Sequence, residues 1–372
     1  MMVYSLVIPV LPTYSLALGA DELIVGVIFS AFSVGLLVFS IPFGILSDRM
    51  GRKAFMIGGM FLLAATNITF VLSSDIYLLI LARLIQGMSG AATWSAGLAL
   101  LADTFDVSER AEKMGLAMSI MSVGTLLGPV VGGIIYDNLG YAPTFLIPSS
   151  LTVLLGVLLL FIPMHRKTCL TCKVNYTAPM GRAPIMFIAI SAIIVAGAAT
   201  FGIIEPYLPL YLFEKFSATP TAIGLTFGAL SLVRMMSQPI IGRIYYRSGS
   251  NFMMPLGLMV SAIVIVTCMY MPSIVIIAAI FSLLGLTLNF ALTPMLSLMS
   301  KLYGGDDETN TQGMVYGVYN TLFSVGLVLG PLIGGYVVTK SSLMVTMIGQ
   351  AAILLAVGAA CLMLVPGFRR RS

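Results

Sequence analysis

Gly124-Thr-Leu-Leu-Gly128-Pro129-Val-Val-Gly132-Gly133 recurs 202 positions further on as Gly326-Leu-Val-Leu-Gly330-Pro331-Leu-Ile-Gly334-Gly335. Gly124, Gly128 and Gly132 fall four apart, on one face of a helix, so a neighbouring backbone can come close. In hydrocarbon that close approach is a main source of packing energy between helices. Pro129 and Pro331 each remove a backbone donor and bend the chain. A membrane helix tolerates this only where neighbours or a water-filled cavity satisfy the freed carbonyl. One GxxxG is common in any membrane helix; two copies of the whole pattern point to a duplicated architecture.

Composition agrees. Hydrophobic residues make up 59% of the 372 and charged residues 9%, with a mean hydropathy of +1.05. A soluble globule of this length needs far more polar surface, so the chain is read as an integral membrane protein. Apolar runs of roughly twenty residues recur, and ten-residue alternating segments do not, which predicts helical spans and not a barrel. Met1 leads directly into Val3-Tyr-Ser-Leu-Val-Ile-Pro9. With no basic n-region or small-residue cleavage site there, the first span is expected to be the anchor. The net charge of +5 belongs to loops that set topology and implies no nucleic-acid partner. Four scattered cysteines make no disulfide framework.

Twelve spans are expected: 2–18, 23–46, 54–72, 76–102, 113–136, 142–162, 184–211, 220–246, 252–271, 273–302, 312–338 and 342–365. Lysines and arginines gather on one side, from Arg49, Arg52 and Lys53 to Arg369–Arg371, whereas only Lys215 and Lys340 fall on the other. The positive-inside rule then puts both termini and the loop 163–183 in the cytoplasm. That loop divides the chain into six-helix bundles at 1–162 and 184–372. The halves repeat elsewhere too: Pro9-Val-Leu-Pro12-Thr-Tyr14 returns as Pro206-Tyr-Leu-Pro209-Leu-Tyr211, and Gly44-Ile-Leu-Ser-Asp48-Arg49-Met-Gly51 as Gly242-Arg-Ile-Tyr-Tyr-Arg247-Ser-Gly249. Parallel repeats of this kind predict a cavity between the halves near the bilayer midplane.

The stretch Gly44–Lys53 resembles the signature between spans 2 and 3 of the major facilitator superfamily, and Arg83-Leu-Ile-Gln86-Gly87 resembles its span 4 motif. The likeness covers nearly the whole chain. The Gly-Pro-Gly-Gly element is similar to the antiporter motif of the drug/proton antiporter group. Its recurrence in span 11, with Glu205-Pro206 in span 7, looks most like the vesicular amine and polyamine transporter branch. The resemblance implies two pseudo-symmetric six-helix bundles and secondary transport. Two departures qualify it. Monoamine-type members carry acidic residues in spans 10 and 11 where Asn289 and Asn320 stand here, which argues against a monoamine-type carboxylate site. Members also have a cytoplasmic segment and a full first helix, whereas this chain starts about halfway along it, so a truncated first helix and a missing N-terminal segment are expected.

Glu205 is the carboxylate placed well inside a span. A charge there costs about 2.5–3.5 kcal/mol or more, so it is expected to face a cavity, where a carboxyl can exchange a proton for a cationic solute. A neutral acid satisfied by a neighbouring helix, or one wetted near the outer surface, is the other reading. Arg83, with Gln86 and Gly87, forms one polar face at i, i+3 and i+4. The resemblance implies proton coupling for Arg83; snorkelling outward is the alternative. Arg234 lies too deep in span 8 to snorkel and is expected to face the cavity or pair with Glu205. Gln86, Tyr207, Tyr211, Asn289, Phe290, Tyr316, Tyr319, Asn320 and Trp94 are candidate wall residues for an organic cation, which aromatic rings attract. Asp48, Arg49, Arg52 and Asp103 are expected to form a cytoplasmic gate, with Asp48 latching the halves. Gly124, Gly128, Pro129, Gly326, Gly330 and Pro331 are the moving packing elements.

His165, Cys169 and Cys172 supply three metal-type ligands without a fourth nearby, so no metal site is expected. Asn67 and Asn175 match the glycosylation pattern but fall in a span and a cytoplasmic loop. No P-loop, HExxH or GxSxG occurs, so neither ATP-driven transport, hydrolysis nor a cofactor is expected. The sequence points to a monomeric, non-enzymatic carrier in a plasma or acidic vesicle membrane, exchanging protons for a small organic cation, amine or drug. A facilitative carrier or symporter of a neutral or anionic solute is the alternative, and a non-transporting sensor or inactive fragment the rival outside transport.

Overall fold

The computed structural model describes residues 1–104, 107–161, 184–303 and 312–364, apart from some side chains at the ends of these ranges. His165, Cys169, Cys172 and Asn175 lie outside them, as do the side chains of Asp103 and Tyr316. Fourteen helical segments make up the described chain. They are α1 (Met2–Leu6), α2 (Leu11–Ala17), α3 (Glu22–Met50), α4 (Arg52–Leu72), α5 (Ile76–Thr104), α6 (Val107–Leu139) and α7 (Tyr141–Phe161), then α8 (Pro184–Phe216), α9 (Pro220–Ser248), α10 (Met253–Met269), α11 (Ile274–Leu292), α12 (Met295–Tyr303), α13 (Gln312–Lys340) and α14 (Leu343–Leu364).

Two expected spans are interrupted, and proline is the reason in both. Pro9 and Pro12 cannot donate to the carbonyls of Ser5 and Ile8, so span 1 divides into α1 and α2. Pro294 likewise cannot donate to Phe290, and span 10 divides into α11 and α12. The fold remains that of twelve spans. Nine helical stretches among the described residues are long and apolar enough to cross a bilayer, α11 and α12 counting as one. The other three are the divided first span, the short apolar α10, and α9, whose apolar character is diluted by Arg234, Arg243 and Arg247.

Local chemistry sets the ends. Asp21 caps α3, its Oδ1 accepting from the Ile24 N–H at 2.7 Å. The α3–α4 turn is a single residue, Gly51, at φ 100°, a conformation that carries no penalty in glycine alone. Ser273 caps α11 through the Val275 N–H.

The chain divides into two compact units, Met1–Asn175 with Thr219–Gly224, and Tyr176–Ala218 with Leu225–Ser372. In the first, α3 packs on α5, α4 on α5 and α7, and α6 on α1. In the second, α13 packs on α8, and α10 on α11 and α14.

The repeated glycine element does the same job in each unit. Gly124, Gly128 and Gly132 of α6 press on Met2, Ser5 and Leu6 of α1. Gly326 and Gly330 of α13 press on Val195 and Ala199 of α8, and Gly334 lies under the Tyr207 ring. An added methyl at Gly132, Gly326 or Gly330 would sit 2.5 Å from the carbonyl oxygen of Leu6, Val195 or Ala199 respectively. The fifth helix of each half is therefore seated on the backbone of the first.

A second repeated contact is made by the tyrosine that ends the Pro-x-x-Pro-x-Tyr pattern. Tyr14 donates to the Ser73 carbonyl at 2.8 Å, and Tyr211 to the Met269 carbonyl at 2.9 Å. In both units the first helix thus satisfies an orphan carbonyl at the C-terminus of the third.

Candidate functional site

In the first unit the polar centre is Arg83 on α5. It is only 1% exposed, which removes the snorkelling alternative. Its Nη1 donates to Gln86 Oε1 at 2.7 Å, one turn along the same helix. The guanidinium carbon lies 4.8 Å from the centre of the Phe29 ring, 5.1 Å from Phe32 and 5.6 Å from Tyr4. Tyr4 is itself stacked on Phe32 at 4.4 Å. Desolvated cation–π contacts contribute about 2 kcal/mol each, so three rings offset much of the several kcal/mol that burying the charge costs. α1, α3 and α5 converge on this one cation. Gln86, 1% exposed, has its Nε2 without a hydrogen bond among the described residues, as has the Trp94 indole N–H. The Asn67 amide is also buried, in α4.

The second unit is centred on α8. Pro206 and Pro209 leave the carbonyls of Gly202 and Glu205 without their helical donors. Glu205, half-buried, immediately precedes Pro206 in this stretch of α8. Arg234 of α9 places its guanidinium carbon 4.2 Å from the centre of the Phe201 ring. Phe201 and Glu205 are four residues apart, on one face of α8. The structure thus brings the Arg234 cation to the helix face that carries the carboxylate. Asn289 of α11 completes the cluster: its Nδ2 donates to the Arg234 carbonyl at 2.7 Å and to Ser237 Oγ at 2.8 Å. Its amide nitrogen is spent on holding α9.

Other candidates are dispersed. The Tyr207 hydroxyl, buried, donates to the Pro331 carbonyl at 2.6 Å and ties α8 to α13. Tyr211 stands near the C-terminal end of α8, on the helix-end contact described above. Phe290 is half-buried on α11, and Tyr319 stacks on Phe323 with ring centres 6.0 Å apart. Asn320 is exposed on α13, so Asn289 and Asn320 occupy different environments.

In the α3–α4 turn, Asp48 pairs with Arg52 at 2.8 Å, four residues on. Arg49 is exposed, and Lys53 Nζ donates to the Leu160 carbonyl at 3.0 Å, at the C-terminal end of α7. That carbonyl end favours a cation. Sequence reasoning missed Phe201, the Tyr4–Phe29–Phe32 wall and Ser237. Phe29 and Phe32, three apart on one apolar helix, were visible as a face, but their cation was not.

Comparison with known proteins settles the class. A family model described as Major Facilitator Superfamily matches residues 1–171 and 188–372. The chain belongs to the major facilitator superfamily. It is 26% identical over 359 residues to the MFS-type transporter SLC18B1 of Mus musculus, covering 91% of this chain and 78% of that one. It is 26% identical to multidrug resistance protein 2 of Bacillus subtilis, with coverages of 89% and 84%. It is equally 26% identical to the synaptic vesicular amine transporter of Rattus norvegicus, spanning 60% of that protein's length. Among solved structures, a bacterial homologue of the human lysosomal transporter Spinster, inward-facing and unoccupied, superposes with a TM-score of 0.84 at 12% identity, covering 99% of this chain and 94% of that one. The human organic anion transporter MFSD10 gives 0.66 at 18%, with coverages of 96% and 95%. This major facilitator chain is a multi-pass membrane transporter of twelve spans, and its partner class is a small-molecule solute.

Proposed function

We propose that this transporter exchanges protons for a small organic cation, with Glu205 as the group that releases one when it takes up the other. The observation that carries the reading is the placement of Arg234 against Phe201, one turn from Glu205 on the same face of α8. A carboxylate beside a fixed cation stays ionised cheaply, and it becomes available to a solute when that contact opens. Gln86, with an unused buried donor, and Phe290 and Tyr319 are proposed wall residues. Arg83 acts as the buried counterpart in the first unit, and the Asp48–Arg52 pair belongs to the gate. Multidrug resistance protein 2 and the synaptic vesicular amine transporter, by their names, support a cationic or drug-like solute. We also propose one bundle at 1–162 and another at 184–372, a linker at 163–183, a monomer, and both termini on the cytoplasmic side of a plasma or acidic vesicle membrane.

The rival reading, facilitated or symport movement of a neutral or anionic solute, takes its support from the two arginines, Arg83 and Arg234, that the helices hold in their interior. One experiment separates them. Proteoliposomes with an imposed pH gradient are challenged with polyamines, monoamines and lipophilic cations, with Glu205→Gln in parallel. Collapse of the gradient by a cation that requires Glu205 supports exchange. Solute uptake that ignores both the gradient and Glu205→Gln would overturn it.

A further inference from the structure

Lys215, an exposed residue in the last turn of α8, folds its ammonium back onto three oxygen acceptors. Its Nζ donates to the Tyr211 hydroxyl at 2.6 Å and to the carbonyls of Met269 and Met271, each at 3.4 Å. A primary ammonium has three N–H donors, and three acceptors stand here. Two rings lie beside it: Nζ is 5.0 Å from the Tyr211 ring centre, on the hydroxyl side, and 5.3 Å from that of Phe216. Those rings stand nearly at right angles, 82° apart. Tyr211 in turn is fixed by donating to Met269, so its oxygen presents a lone pair to the ammonium.

The repeat shows that the lysine is not needed for the underlying clamp. In the first unit Tyr14 makes the same bond to Ser73, and the residue four places on is Leu18; Tyr14 stacks on Tyr141 at 3.8 Å instead. The ammonium in the second unit is an addition to a clamp that stands without it.

We propose that Tyr211, Phe216, Met269 and Met271 form a binding site for a primary alkylammonium at the C-terminal end of α8, and that Lys215 fills it as a tethered stand-in. For its role in transport this rests on the cation reading above: a solute amine displaces Lys215 on its way past. The acceptors match R–NH3+ and not a quaternary ammonium, which has no N–H to donate.

A tethered competitor acts at millimolar effective concentration, and binding is weakened by the fraction of time the site is filled. Lys215→Met, which keeps the apolar stem, is tested by calorimetric titration with n-butylammonium, both proteins carrying Glu205→Gln so that the central carboxylate does not contribute. The expected result is binding tighter by about tenfold or more in the Lys215→Met protein. It is lost on adding Tyr211→Phe and is absent with tetramethylammonium. Equal affinity with and without Lys215, or tightening that survives Tyr211→Phe, would overturn the proposal. In the native chain, selective lysine NMR gives a second readout. The ε-methylene of Lys215, beside Tyr211 and Phe216, is expected to carry a ring-current shift, and n-butylammonium should move it to the position of a free lysine; a shift that saturating n-butylammonium leaves unchanged overturns the proposal equally. Binding here without Glu205-dependent transport would fail the antiport reading and leave the site standing.

Discussion

Gly330→Ala should destabilise the protein, and the size can be worked from the α8–α13 contact. The new methyl would lie 2.5 Å from the Ala199 carbonyl oxygen and 3.0 Å from its Cα. Carbon and carbonyl oxygen ordinarily meet at about 3.3–3.6 Å, so α13 must withdraw by close to 1 Å. The listeners on that face would all feel it, because Gly326 and the Pro331 ring bear on the same helix, the latter against Gly202. Overpacking of this kind costs about 1–3 kcal/mol. Alanine returns about 0.5–1 kcal/mol by stiffening a helical glycine. The net expectation is a loss of up to about 2.5 kcal/mol. Gly349→Ala in α14 is the control, since a methyl there meets nothing within 4 Å and only the helical gain remains. Thermal unfolding of both purified variants in one detergent is the assay, with Gly330→Ala expected below the native protein and Gly349→Ala at or above it. If Gly330→Ala is as stable as Gly349→Ala, the repeated glycines are not there to seat α13 on α8.

Tyr207→Phe removes the hydrogen bond to the Pro331 carbonyl, an acceptor that keeps its helical partner in α13, for a loss of about 0.5–1.5 kcal/mol in the same assay. Asn289→Asp replaces the donor that reaches the Arg234 carbonyl and Ser237 with an oxygen that cannot donate when ionised. Lower thermal stability is expected, by about 1–3 kcal/mol, and unchanged stability would show that α9 is held otherwise. Arg83→Lys keeps the charge but loses the planar cation that lies among three rings and reaches Gln86. Solute flux in proteoliposomes should fall at least tenfold; flux within twofold of native would remove Arg83 from the mechanism.

Much of the architecture was legible because membrane helices obey few rules. Hydrophobic length marks spans, charge marks loops, and a duplicated Gly-Pro-Gly-Gly element marks duplicated halves. The two divided spans were also written in the chain, at Pro9, Pro12 and Pro294, but apolar length masks a break that leaves both pieces in the same span. The site was legible only residue by residue. Glu205, Arg83 and Arg234 stood out because charge within hydrocarbon is rare and expensive. Their neighbours did not, since phenylalanine in an apolar helix looks the same whether it faces lipid, a core or a guanidinium.

The sequence by itself determined the class of molecule, the number of spans, the twofold repeat and the charged residues that demand partners. It did so because these follow from composition and one-dimensional spacing. Only the tertiary structure decided that Gly128 seats α6 on α1 and Gly330 seats α13 on α8, that Tyr4, Phe29 and Phe32 enclose Arg83, and that Lys215 reaches the carbonyls at the end of α10 and just beyond it. Each of those contacts joins residues far apart in the chain, at distances set by how helices lean on one another, and no local pattern encodes that lean.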